Sequence, residues 1–120
     1  MAITLETNAR NAAANAIAAL HNSGTLEFQT STGAEVATVT FSATAFGAAA
    51  TGVATANAIA EDTSATGGEA VQFATKTSAA AKILGGTVGT SGTDITIDNT
   101  TITAGVTVDL TSFKITVPAS

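Results

Sequence analysis

The chain has 120 residues, 11% of them charged, and its nine acids against four bases give a net charge of −5. That length suits one domain burying about two-thirds of its unfolded surface, and the absence of cysteine removes both a disulfide framework and a thiolate metal site. Four scattered cations, Arg10, Lys76, Lys82 and Lys114, cannot form a stripe that tracks phosphates, which excludes nucleic acid as an expected partner.

Met1–Leu5 is short, apolar and expected to be extended. With an acid at Glu6 and no basic stretch, MAITLETNAR is not expected to be a secretion signal. No apolar run approaches the roughly 20 residues of a membrane-spanning helix. Ala9–Leu20 is rich in the best helix former, so a helix is predicted over Thr7–His21, with Thr7 or Asn8 capping its first amides. Ala13, Ala16, Ile17 and Leu20 form its predicted apolar stripe. Gly24 is expected to take the left-handed conformation that ends it. His21 falls in the last turn, where a partial positive charge suits the helix dipole, and is read as a helix-end residue without a metal or catalytic role. An alanine stripe buries little area, so this helix needs a partner surface on the sheet, a neighbouring subunit or a larger assembly.

Thr25–Thr30 and Glu35–Phe41 alternate apolar and polar residues across Ser31-Thr32-Gly33 and read as a hairpin. Ser42–Thr51 is a small-residue loop from which Phe46 is expected to plug the core edge. Gly52–Ala60 is taken as a strand, and Glu61–Glu69, the most polar stretch, as an exposed loop. Ala70–Lys76 is a strand, as is Lys82–Val88, with a bulge expected at Gly85-Gly86. Three period-two runs close the chain, Ile95–Asp98, Val106–Leu110 and Phe113–Val117.

The predicted fold is therefore mainly β: an antiparallel β-sandwich or jelly-roll-like body of about eight strands with one N-terminal α-helix. Residues 1–24 form the arm and helix, residues 25–120 the body, within one domain. The expected core is Leu26, Phe28, Val39, Phe41, Val71, Phe73, Ile95, Ile97, Val106, Val108, Phe113 and Ile115. With so little charge, the surface must be coated by Thr, Ser, Asn, Gly and Ala, which suits permanent assembly better than life as a separate monomer.

The residues offer little chemistry. Glu61 and Asp62 are adjacent and point apart on an extended chain, so they read as a solvated loop, not as an acid–base couple. Asp94, Asp98 and Asp109 are hard oxygen donors suited to Ca²⁺, but their spacing matches no dedicated loop. The Gly-rich run Gly85–Gly92 has no lysine or helix after it, as a phosphate loop requires. Ser42, Ser64, Ser78 and Ser91 lack a local base, the one histidine lying in the proposed helix. No catalytic, cofactor-binding or metal residue is assigned, and no enzyme is expected.

Three stretches carry a resemblance: NARNAAANAIAAL within Asn8–Ala19 and its flank, AFGAAATGVATANAIAEDTSATGG from Ala45, and GGTVGTSGTDITIDNTTITAGVTVDLTSFKITVP ending at Pro118. Together with the intervening hairpin they make nearly the whole chain similar to a group of small virion structural proteins of tailed bacteriophages. The middle strand AVQFATK departs from that group in carrying fewer aromatic and charged residues. The resemblance implies a capsid decoration, or cement, protein. Its partners would be the major capsid protein and copies of itself, and its place the capsid surface after synthesis in the host cytoplasm. A tail or fibre component is the alternative within the virion. A carbohydrate-binding β-sandwich module is the alternative of another class, disfavoured because sugar platforms use Trp and Tyr and this chain has neither.

Overall fold

The computed structural model describes residues 3–119. One helix, α1 (Thr7–Ala19), precedes ten strands: β1 (Thr25–Gln29), β2 (Glu35–Phe41), β3 (Val53–Thr55), β4 (Ile59–Ala60), β5 (Gly68–Glu69), β6 (Gln72–Lys76), β7 (Lys82–Gly89), β8 (Ile95–Thr96), β9 (Thr101–Ile102) and β10 (Lys114–Thr116). The fold is mainly β with a single N-terminal helix, in agreement with the sequence pattern. A six-stranded sheet runs β4-β2-β1-β6-β7-β8, and two strand pairs, β10-β3 and β5-β9, complete the structure.

The centre of the large sheet follows from its alternation. Leu26 and Phe28 of β1 face Val39 and Ala37 of β2 on one side and Thr75 and Phe73 of β6 on the other, and all six are buried. The β1–β2 register shifts between Phe28 and Gln29, so Gln29 meets Glu35. Beside this bulge, Val36 and Ala37 are consecutive and both buried. Val36 is fully buried and belongs to the same core cluster, and its methyl group approaches Gly68.

Above the sheet lies an aromatic cluster. Phe41 stands 5.7 Å from Phe46 and 6.0 Å from Phe113, and Phe113 meets Phe73 edge-on at 5.8 Å. These rings come from β2, a loop, the approach to β10, and β6, so the cluster joins the large sheet to the β10–β3 pair. Helix α1 packs on β3 and β10. The partner surface that the helix requires is thus supplied by the chain itself. Asn11, Asn15 and Asn22, all on one face, accept hydrogen bonds from the backbone amides of Gly52, Ala49 and Ala45 at 2.8, 2.8 and 2.9 Å. They pin down the loop between β2 and β3.

Several expectations are corrected. The helix is capped at Glu6, with no side-chain cap bond, and not at Thr7 or Asn8. Its buried positions are Ala14 and Ala18, with Ile17 partly buried, while Leu20 is 52% exposed. The stripe is rotated because His21, polar and so left out of it, is buried and continues the i, i+4, i+7 series from Ala14 and Ala18. Ser23, not Gly24, adopts positive φ at the helix end. Gly24 is required for another reason: a Cβ there would sit 2.1 Å from the Lys76 carbonyl oxygen. Gly52–Ala60 splits into β3 and β4, and β5 forms inside the predicted loop 61–69.

Further corrections fall in the C-terminal half. Gly85 and Gly86 pair regularly with Ala74 and Phe73, and the irregularity lies between Thr75 and Lys76 instead. Gly86 makes room for the Phe73 ring, 2.6 Å from where its Cβ would lie. Strand β8 runs parallel to β7, not antiparallel. Val106–Leu110 forms no strand: Val108 makes an isolated bridge to Asp62, and Val106 is 40% exposed. Val71, Ile97 and Val108 are half-buried, not core, and Ala70 takes the fully buried place beside Val71. Leu5 donates its amide to the Ala119 carbonyl, whereas Met1 and Ala2 of the predicted extended arm lie outside the described residues.

Phe41→Ala and Phe113→Ala should each lower the unfolding free energy by about 3–5 kcal/mol. Val106→Ala should change it by no more than about 0.5 kcal/mol. Denaturant titration checks both, and a cost under about 1 kcal/mol for either Phe would contradict the aromatic core.

Candidate functional site

Two places concentrate polar chemistry. The first is His21, with no solvent exposure. Its ring lies edge-on to Phe41 and Phe46, both at 5.3 Å between centroids. Nδ1 is 2.9 Å from the Ile17 carbonyl oxygen, and Nε2 is 2.9 Å from Thr75 Oγ1. A carbonyl only accepts, so Nδ1 carries the proton and Nε2 accepts the Thr75 hydroxyl proton. Thr75 Oγ1 in turn accepts the Leu84 amide at 3.3 Å. Helix α1, strand β6 and strand β7 are thereby tied through one imidazole.

Burial pushes the His21 pKa down, and the Ile17 carbonyl opposes that shift only in part. The ring is therefore held neutral, which corrects the expectation of a partly charged residue serving the helix dipole. It is not placed as a base for a serine either, because its two ring nitrogens are engaged by the Ile17 carbonyl and the Thr75 hydroxyl. Sequence reasoning missed the residue's importance because a histidine at a helix end looks solvated. The signal that could have found it is its spacing from Ala14 and Ala18.

The second place is an open cleft of about 780 Å³ between β8 and the segment leading into β10. Phe73, Ile95, Phe113 and Ile115 supply its apolar floor, and Asp94, Asp98, Asp109 and Lys114 line it. The structure thus brings the three candidate Ca²⁺ ligands to one cleft. It does not bring them together as ligands: no group of three or more His, Cys, Asp or Glu side chains is placed to hold a metal among the described residues. Asp94 is already engaged, its Oδ2 accepting from the Thr87 amide at 2.9 Å and the Thr87 hydroxyl at 3.0 Å. These bonds hold its pKa below the usual carboxylate range, the backbone amide contributing most.

The remaining candidates are structural. Asp62 accepts from the Thr38 and Ser64 amides, each at 2.9 Å, while Glu61 is exposed. Glu69 accepts from the hydroxyls of Thr100 and Thr101 at 2.7 and 2.8 Å, which lowers its pKa in that order of effect. No helix among the described residues is long and apolar enough to cross a membrane. Compared with known proteins, the chain matches no family model, no curated protein and no solved structure.

His21, Asp94 and Glu69 all have folded pKa values below their ordinary ones, so the unfolded chain binds more protons and acid favours unfolding. The first loss belongs to His21 and begins as pH falls through its ordinary value of 6.5. The carboxylates act only below their ordinary 4.5 and 3.8. The melting temperature should therefore fall between about pH 7.5 and pH 5. In His21→Gln it should be lower at the start and flat across the same interval. Scanning calorimetry at both pH values reads this, and an unaltered slope in the variant would show that His21 is not the titrating group.

Proposed function

We propose that this chain is a bacteriophage virion structural protein, and specifically a capsid decoration protein that binds the outer shell together with copies of itself and stabilises the head. The reading is carried by the resemblance of its three segments to small virion structural proteins. The surface agrees with it. The exposed positions of α1, including Ala9, Ala12 and Ala16, bear no charge, with Glu6 at its cap and the half-buried Arg10 the charges nearby in sequence, and Ile3, Leu5 and Leu20 are exposed apolar residues. Among the described residues, β4 and β8 are the edge strands of the large sheet, each paired on one side only. Uncharged apolar surface and open edges are what a permanently assembled protein covers with neighbours, and a free monomer has to protect.

With four cations and nine acids, charge is not the main adhesive. Attachment rests on apolar contact and on backbone hydrogen bonds at strand edges, with strength from several copies acting together. Quantitative mass spectrometry of purified particles should find hundreds of copies relative to the major shell protein; a few copies would point to the tail or fibre reading instead. Occupancy should change little between about 0.05 and 0.5 M salt, over which the Debye length falls from roughly 14 to 4 Å. Stepwise release with rising salt, quantified on gels, would contradict an apolar interface.

A further inference from the structure

The cleft beside β8 is bounded by two strand edges. Among the described residues, β8 pairs only with β7, and β10 only with β3. The bonding pattern fixes which groups are left over. Ile97 donates to the Gly89 carbonyl, so the amide and carbonyl of the preceding Thr96 face away from β7. Ala56 donates to the Phe113 carbonyl and Val117 to the Gly52 carbonyl, so Phe113, Ile115 and Val117 bond towards β3. Lys114 and Thr116 then turn their amides and carbonyls to the other side. Thr96, Lys114 and Thr116 all line the cleft. Its volume of about 780 Å³ lies within the range of ligand-binding pockets.

We propose that this cleft is a β-augmentation groove that takes an extended segment of a partner protein with alternating apolar and basic side chains. An added strand would bond to the edge of β8, to that of β10, or to both, and seat alternate side chains on Phe73, Ile95 and Phe113. Backbone bonds and apolar contact supply most of the affinity, and charge discriminates among segments. Three carboxylates against one ammonium line the groove, and the ion pair found among the described residues lies elsewhere, between Lys76 and Glu27. The chain's own exposed arm, Ile3–Glu6, ends in an acid and would add repulsion, so a second copy's arm is the wrong occupant. The inference deepens the reading as an assembly component by naming the surface and the chemistry of the segment it accepts. It is tested on the free protein, so it fails independently of whether the protein is found in particles.

The probes are two end-blocked hexapeptides, one alternating valine with lysine and one alternating valine with glutamate, titrated into isotope-labelled full-length protein. The lysine peptide should shift amides confined to Ile95–Asp98 and Asp109–Thr116, with a Kd at or below about 1 mM. It should also slow hydrogen exchange at the Thr96, Lys114 or Thr116 amides. The glutamate peptide should bind about tenfold more weakly, and Asp98→Asn with Asp109→Asn should narrow that gap. Thr96→Pro removes an outward amide without touching the bonds to β7 and should weaken the lysine peptide about tenfold. The exchange readout on the unaltered protein asks the same question if that variant does not fold. Absence of shifts with either peptide, equal affinity for both, or unchanged exchange at all three amides would overturn the proposal. So would amide shifts in the cleft that track protein concentration without peptide, which would make a second copy the occupant.

Discussion

The structure depends on burying one imidazole at no net polar loss. His21 has no solvent exposure, so an unmet ring nitrogen would cost about 1–3 kcal/mol and a charged ring more. The Ile17 carbonyl and the Thr75 hydroxyl remove that cost only if the end of α1 sits directly over β6. Much else follows from that placement. The chain must turn sharply after the helix, with Ser23 at positive φ, and Gly24 must pass against the Lys76 carbonyl where no side chain fits. Phe41 and Phe46 close over the ring, and through Phe113 they carry the contact on to β10.

A second constraint is the scarcity of charge. With 11% charged residues, the chain holds its loops by uncharged donors instead of ion pairs. Threonine hydroxyls donate to carboxylates at Glu35, Glu69 and Asp94, and backbone amides of the loop between β2 and β3 donate to the side-chain oxygens of Asn11 and Asn15 on α1 and of Asn22 just beyond it. Of the acids that sequence reading weighs for metal or acid–base chemistry, Asp62 and Asp94 are fasteners of this kind and Glu61 is exposed. Asp98 and Asp109 belong to the cleft instead, which is why the cleft, and not the acidic loop, carries the functional interest.

Period-two alternation is legible wherever a strand has one buried face, so β1, β2, β6 and β10 stand close to where the sequence places them. It misleads at Val106–Leu110, where Val106 accepts from the Ala65 amide and Val108 bridges Asp62 without a continuous ladder, and Val108 and Leu110 are only half-buried. Strands β5 and β9 are too short to leave a pattern, and the parallel β7–β8 pairing depends on a path through Gly89–Asp94 that no local signal specifies. The helix phase was hidden by the habit of treating histidine as solvated. Of the cleft, only the three aspartates were visible beforehand. Its open edges are a matter of which strands lack neighbours, a property of topology and not of residue type.

If His21 locks the helix to the sheet, the two form one cooperative unit, although an alanine-rich helix of 13 residues is marginal on its own. Native-state hydrogen exchange measures this most directly, through the opening free energies of the α1 amides around Ala18 and of the β1 and β6 amides. A single shared value, falling together in His21→Leu, is the result the structure requires. Helix amides that open several kcal/mol more easily than the sheet, with no response of the sheet to the substitution, would contradict it.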